Sequence, residues 1–447
     1  MPVYIDNEST QFVHEEFLPG LLDMTDMEYP AVNLIAGVPR RPRGYEFVWG
    51  AKKGRRPSAR PVFDRDPLPK RVPLGHVEFR ESMAFTYNVM GISGQVDAYD
   101  QRSDGAFMPA LVEEANECVL GLRVIEEQMI LALRRGSFGK IKSATTIKPA
   151  SAGVDTVLQD INTNFEQDFA NARGLEYRVV SKPDEGASKD TDRGGVTLTA
   201  DPVNGTTAGE QTLKLRSTGV GNVAAAAGDY LMYNYKDGQG SQALYSLFDL
   251  VGAGKLHGVD PATFPLWKSI DKTASALSIS NRMLDDIFVQ IRRNRGVGRI
   301  DMLPMLLLCT PEFEQKINQL ADTATGAGAS ASVNFVSGQE DATSVRTFRL
   351  NFGSTTVETL PLNKMPLNYG LLIDRSRLAQ VGGDELRMVQ GPGGQAWHPE
   401  ISVPDTAVKP IPADYTDAFI AHIRMDRQLY VTERNCMAKF KHAAISL

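Results

Sequence analysis

Catalysis needs particular side chains at particular spacings, and few combinations in this 447-residue chain come near one. The nearest is "DLVGAGKL", Asp249 to Leu256, which has the look of the end of a phosphate loop. Asp249 stands where the first glycine belongs, and Leu256 follows the lysine where Ser or Thr would hold magnesium. A plain turn is the expectation there. The six histidines are scattered, with no HxxxH pair beside a third ligand. His14 opens "HEE" without the second histidine of a metalloprotease helix. There is no GxSxG elbow, and Cys118, Cys309 and Cys436 lie far apart without CxxC spacing. These residues predict buried, reduced thiols, and no catalytic, cofactor-binding or metal-binding site.

The remaining chemistry is charge. "KKGRRPSARP", Lys52 to Pro61, holds five cations (Lys52, Lys53, Arg55, Arg56 and Arg60) and no anion. From Arg40 to Arg71 eleven Lys and Arg meet only Glu46, Asp64 and Asp66, a net +8. The whole chain is −6, which leaves −14 for the remainder. Beside the basic run Tyr45, Phe47 and Trp49 fall at i, i+2 and i+4, on one face of a strand. Aromatics on a strand flanked by cations form the platform that stacks single-stranded nucleic acid. The plainer reading is a packed strand face with a cationic tip. An acidic remainder repels a polyanion, so an acidic protein surface is the favoured partner, and a second copy of the chain supplies one.

The elements that must carry these charges are legible in outline. Hydrophobic content of 42% and charged content of 23% are those of a globular protein with room for two or three modules. No run of eighteen apolar residues marks a membrane helix, and "MPVYIDNEST" lacks the pattern of a secretory signal. Residues 1–39 read as an arm. "GYEFVW" and "GHVEFRESMAFTYNV" read as two strands joined by a Pro-broken tract, a long basic hairpin that needs a neighbour to rest on. From Phe107 to Arg135, Met108, Leu111, Ala115, Cys118, Leu122, Ile125 and Met129 step by three and four, predicting one long helix ended by Gly136. Acids crowd it: Asp97, Asp100, Asp104, Glu113, Glu114, Glu117, Glu126 and Glu127 against Arg102 and Arg123.

Residues 141–240 read as an inserted β-rich module, from "LEYRVV", "GVTLTA", "QTLKLRS" and "DYLMYNY". Then come a helix at "NRMLDDIFVQIRRN", a buried strand "MLLLCT", a helix opened by Pro311, and the small-residue loop "ATGAGASASVN". Strands return at "VRTFRLNFG", "STTVETLPL", "YGLLIDR" and "QLYVTERNCMAKFKHAAISL".

In its order of pieces the chain resembles the major capsid protein of tailed bacteriophages, the coat fold of phage HK-ninety-seven, which encapsulin shells share. "RVIEEQMILALRRG" resembles the end of that family's spine helix, and "ALYSLFDLVGAGKLHGVDPATFPLWKS" its segment between shell domains. "STTVETLPLNKMPLNYGLLIDRS" resembles the strands closing the axial domain, and "LYVTERNCMAKFKHAAISL" the closing strand, with Glu433 and Arg434. The resemblance covers most of the chain except 141–240. It implies an α+β fold with an N-terminal arm (1–39) and an extended loop (40–96). A peripheral domain with the spine helix (97–140), continued at 241–274 and 381–447, and an axial domain (275–380) complete the division.

The implied role is a structural one, a coat protein that self-assembles through pentamers and hexamers into the icosahedral head enclosing the genome. Its expected partners are itself, a separate scaffolding protein, a portal, a possible decoration protein, and packaged double-stranded DNA without sequence specificity, with no membrane. Its expected location is the virion capsid, assembled in the host cytoplasm. Lys52, Lys53, Arg55, Arg56 and Arg60 are then expected to face Glu113, Glu114 and Glu117 of another copy. An encapsulin-like cargo shell and a soluble nucleic-acid-binding protein using the basic 40–71 segment are the alternatives.

Overall fold

The computed structural model describes residues 30–34, 37–38, 46–52, 76–93, 107–149, 153–161, 176–181, 192–204, 210–233, 235–236, 240–241, 243–264, 267–295, 305–317, 349–352, 355–382, 387–388, 397–401 and 415–445. In chain order the first elements are α1 (Pro30–Leu34), β1 (Gly37–Val38), β2 (Glu46–Lys52), β3 (His76–Ser82), β4 (Ala84–Ser93) and α2 (Phe107–Leu131). Eight strands follow: β5 (Ser137–Ile141), β6 (Thr145–Ile147), β7 (Val154–Gln159), β8 (Glu176–Val180), β9 (Asp192–Asn204), β10 (Gln211–Ser217), β11 (Val223–Ala225) and β12 (Tyr230–Met232). After the short pair β13 (Tyr235–Lys236) and β14 (Gly240–Ser241) come α3 (Leu247–Leu250), β15 (Ile270–Leu277), α4 (Asn281–Arg295), β16 (Met305–Cys309) and a helix, α5, over 311–317. The last strands are β17 (Arg349–Phe352), β18 (Thr355–Pro361), β19 (Tyr369–Asp374), β20 (Leu378–Gly382), β21 (Arg387–Met388), β22 (Trp397–Ile401), β23 (Tyr415–Val431) and β24 (Ala438–His442). The protein is a mixed α/β chain of many strands and few helices.

Three sheets dominate. One is built around the 17-residue β23, which pairs with β4, β20, β21 and β22, with β1 beyond β20. A second runs β15-β24-β19-β16-β18-β17. Its central strand "MLLLC" is buried at every position, as a strand covered on both faces must be. The third is a closed barrel, β10-β7-β5-β12-β8-β9. Along β10 Gln211, Leu213, Leu215 and Ser217 point inward and alternate with outward residues, the period-two pattern of a half-buried strand. Phe138, Ile141, Leu158, Tyr177, Val179, Val196, Leu198 and Leu231 complete that small core.

The helices follow from their apolar spacing. On α4 Met283, Leu284, Ile287, Phe288 and Ile291 are buried on one stripe, and Ser280 caps its first turn through the Met283 amide at 3.2 Å. On α2 Ala115, Cys118, Leu122 and Met129 of the expected stripe are buried, together with Val119, Ile130 and Leu131. At 25 residues α2 is about 38 Å long. It ends at Leu131, not at Arg135. The Arg134 amide and carbonyl are taken by the Ser137 hydroxyl at 3.2 and 2.9 Å, and the Arg135 amide donates to Asp249. These competing bonds unwind the last turn ahead of Gly136, whose φ of 67° reverses the chain. The second strand of the expected hairpin is also split. β3 pairs with β2, while β4 leaves after the buried Met83 to run beside β23 from Ala84↔Arg427 to Ser93↔Ala418. The "ATGAGASASVN" loop lies outside the described residues.

Gly370 is required where β19 crosses β24. It pairs with Phe440, and a Cβ there would lie 2.2 Å from that buried ring. Gly370→Ala is expected to lower stability by about 1–3 kcal/mol in urea unfolding. Gly221→Ala, where an added Cβ meets nothing within 4 Å, should leave the midpoint unchanged. Equal midpoints for the two variants would refute this account of the β19–β24 crossing.

Candidate functional site

The charged hairpin is rooted in the body of the chain. β2 and β3 pair antiparallel from Glu46↔Ser82 to Lys52↔His76. Alternation turns Phe47, Trp49, Val77 and Phe79 inward, and leaves Val48, Glu78 and Arg80 exposed. The inward face continues a column of rings. Phe47 stacks on Trp49 at 5.2 Å, Trp49 on Phe79 at 5.4 Å, and Phe79 meets Trp267 at 4.2 Å. Tyr430 of β23 closes on Trp49 at 4.9 Å and His257 at 4.7 Å. Such contacts combine large apolar burial with a favourable ring geometry. The aromatic face is therefore occupied by the chain itself, which removes the base-stacking platform that the nucleic-acid reading needed; Tyr45 lies outside the described residues.

A polar cluster locks the same root. Glu81 of β3 accepts hydrogen bonds from the Tyr245 hydroxyl at 3.0 Å and Arg135 at 3.4 Å, and lies 3.2 Å from His257 Nδ1. Burial pushes the Glu81 carboxyl up, but the His257 contact and the Arg135 charge outweigh it and hold the group below its usual range. Burial depresses His257. The Arg135 guanidinium also sits 4.0 Å over the Tyr245 ring and donates to the Ala243 carbonyl at 2.7 Å. Gln428 of β23, fully buried, donates to the Ser82 carbonyl and accepts from the Tyr245 amide, each at 3.0 Å.

Two adjacent carboxylates on α2 bind the remaining parts together. Glu126 is 1% exposed and takes Arg427 of β23 on Oε1 at 2.6 Å and Arg123 on Oε2 at 2.9 Å. Glu127, also 1% exposed, accepts the Ala31 and Val32 amides of α1 at 3.2 and 3.0 Å. It supplies the cap that the first turn of α1 lacks, and so fastens residues 30–34 to the long helix. Burial raises the Glu127 carboxyl to about 7 against the pull of those amides and of the Lys364 charge; the Glu126 charge adds to the rise. Of the acids that crowd the helix in the sequence, these two are internal.

The "DLVGAGKL" turn has its own partner. Arg434, 1% exposed, donates to the carbonyls of Leu250 at 2.9 Å, Gly254 at 2.7 Å, Asp249 at 3.1 Å and Trp267 at 3.3 Å. Lys439 adds a bond to the Phe248 carbonyl at 3.3 Å. The turn thus offers carbonyl oxygens to a cation of its own chain, Arg434, whereas a phosphate loop offers amides to an anion.

Of the expected contact residues, Lys52 ends β2 opposite His76, and Glu113, Glu114 and Glu117 lie in α2. The side chains of those four, and all of Lys53, Arg55, Arg56 and Arg60, lie outside the described residues. Cys118, Cys309 and Cys436 are buried and form no disulfide. Among the described residues no three His, Cys, Asp or Glu are grouped to hold a metal, and no helix is long and apolar enough to cross a membrane.

No family model matches the chain, and no curated protein does. Among solved structures it is similar to the capsid asymmetric unit of cyanophage A-1(L), at 12% identity over 92% of each chain with a TM-score of 0.44. It is similar to the capsid of a native GTA particle, at 8% identity over 93% of this chain and 90% of that one, TM-score 0.44. A chain of Mycobacterium phage Adephagia aligns over 100% of both, at 8% identity and TM-score 0.42.

Two outcomes test the buried carboxylates. Glu126→Gln removes the buried carboxylate that Arg123 and Arg427 share, and is expected to cost about 3–5 kcal/mol in chemical denaturation. For Glu127 the folded pKa lies above the unfolded 4.5, so the folded state holds the proton longer. Stability should then fall by roughly 3 kcal/mol as pH rises from about 4.5 to about 7, and level off above. Glu127→Gln should flatten that window in a pH series of denaturation midpoints. A slope unchanged by the substitution would assign the titration to another group.

Proposed function

We propose that this chain is the major shell subunit of an icosahedral capsid of the tailed-phage type, with the HK-ninety-seven coat fold and a structural, non-catalytic role. The observation that carries this reading is the rooted hairpin. Rings and the Glu81 cluster hold β2 and β3 rigidly on the body. The connection they present, 53–75, has seven Lys and Arg against Asp64 and Asp66, with Pro57, Pro61, Pro67, Pro69 and Pro73. A cationic connection on a fixed base suits a clasp on a second copy. Since Glu126 and Glu127 are engaged inside the chain, Glu113, Glu114 and Glu117 are the acids of α2 left to receive Lys52, Lys53, Arg55, Arg56 and Arg60. Each exposed pair contributes only about 0–1 kcal/mol. Repeated in every head-to-tail contact of a closed ring, such pairs direct orientation, while apolar burial holds the ring together.

In this proposal residues 1–39 form the arm, 40–96 the extended loop and 141–240 the inserted module, with 97–140, 241–274 and 381–447 as peripheral domain and 275–380 as axial domain. Pentamers and hexamers enclose double-stranded DNA without sequence specificity in the virion, assembled in the host cytoplasm. Scaffolding, portal and decoration proteins are the further partners. An encapsulin-like cargo shell has the same architecture, and the inserted barrel favours the phage coat.

Purified full-length protein is expected to form rings or shells in negative-stain micrographs. The triple variant Arg55→Glu, Arg56→Glu, Arg60→Glu should stay soluble and fail to assemble. Normal particles from that variant would remove the charge clasp, and a monodisperse monomer at high concentration of the unaltered chain would remove the shell reading itself.

A further inference from the structure

A cleft of about 480 Å³ opens where β15 begins, lined by Lys268, Ser269, Ile270, Asp271, Lys272, Gln290, Asn294 and Asn435. Its chemistry is lopsided. Asp271 is the one acid in the lining, and it is already engaged by Lys439 at 3.2 Å and by the Thr273 hydroxyl at 2.6 Å. Neither Lys268 nor Lys272 has an ion-pair partner among the described residues. Gln290 and Asn294 stand one turn apart on α4 and so share a face, adding amide groups to the wall. Ser269 is 2% exposed and its hydroxyl has no hydrogen-bond partner among the described residues; the Asn435 Oδ1 is likewise buried and unpartnered. A buried hydroxyl without a partner is costly unless something enters to meet it.

We propose that this cleft binds a phosphate-class oxyanion, with Lys268 and Lys272 supplying charge and Ser269, Gln290 and Asn294 supplying hydrogen-bond donors. Two lysines in the lining of one cleft, neither with an ion-pair partner among the described residues, select an anion. Several neutral donors around them suit an anion with three or more acceptor oxygens. The inference rests on the cleft alone and stands apart from the shell reading. The phosphate can be free in solution or part of a nucleic-acid backbone.

Calorimetric titration of the full-length chain with inorganic phosphate and with pyrophosphate tests it. Pyrophosphate should bind at roughly millimolar affinity or tighter. Lys268→Gln and Lys272→Gln should each weaken it about tenfold, with Ser269→Ala weakening it at unchanged charge. Lys255→Gln, at an exposed lysine outside the cleft, should have no effect. Competition by a short DNA duplex, lost in the same two lysine variants, would mark a phosphodiester as the source; binding of pyrophosphate without such competition would mark a free phosphate. Absence of pyrophosphate binding, or binding indifferent to both lysine substitutions, would overturn the proposal.

Discussion

Two neighbouring carboxylates on the buried side of α2, Glu126 and Glu127, join parts of the chain that are otherwise far apart. Through Arg427 the first fixes the helix against the C-terminal half of β23, 301 residues on. Through two backbone amides the second fixes α1, 96 and 95 residues back. Taking a charge out of water is expensive, so each oxygen has to find its partner for the fold to tolerate it. That requirement specifies where the sheet and the arm segment sit along the helix. Non-directional apolar packing specifies such a position far less sharply.

The two acids use different physics. Glu126 is met by two guanidinium groups, one on each carboxylate oxygen, in a strict geometry. Glu127 is met by two backbone amides, and burial outweighs their pull and draws its proton equilibrium toward neutrality. The root of the hairpin repeats the theme: Glu81 is half-buried beside Arg135, His257 and Tyr245, drawn from segments 54, 176 and 164 residues away. Arg434 inverts the roles, a buried cation satisfied by carbonyls from residues 249–267. The described body of the protein is thus held by a few buried polar nodes set in an aromatic and aliphatic core, with the cationic connection 53–75 between two firmly seated strands.

Local pattern made several elements legible. The three-and-four spacing of α2, the alternation of β10 and the all-apolar "MLLLC" each state a period that a single geometry satisfies. So did the contrast of basic 40–71 with an acidic remainder, which directs attention to a partner surface. The long strand β23 was harder. Ala421, Ile423, Met425, Leu429 and Val431 do alternate inward, but Arg427 occupies an inward position and breaks the apolar period. Its burial makes sense only with Glu126 opposite, and the sequence separates the two by 301 of its 447 residues.

Sequence alone determined the periodicities, the charge asymmetry and the lack of any spaced catalytic set, because these are properties of residues close together in the chain. Tertiary structure decided which charges are internal. Nothing in the sequence around Glu126, Glu127, Glu81 or Arg434 marks them as internal, since nothing local distinguishes a solvated acid from one that caps a distant helix. It likewise decided that Phe47 and Trp49 pack inward, and that Asp249 to Leu256 turns its carbonyls toward Arg434. Desolvation depends on what arrives from elsewhere in the chain, and only the folded arrangement sets that.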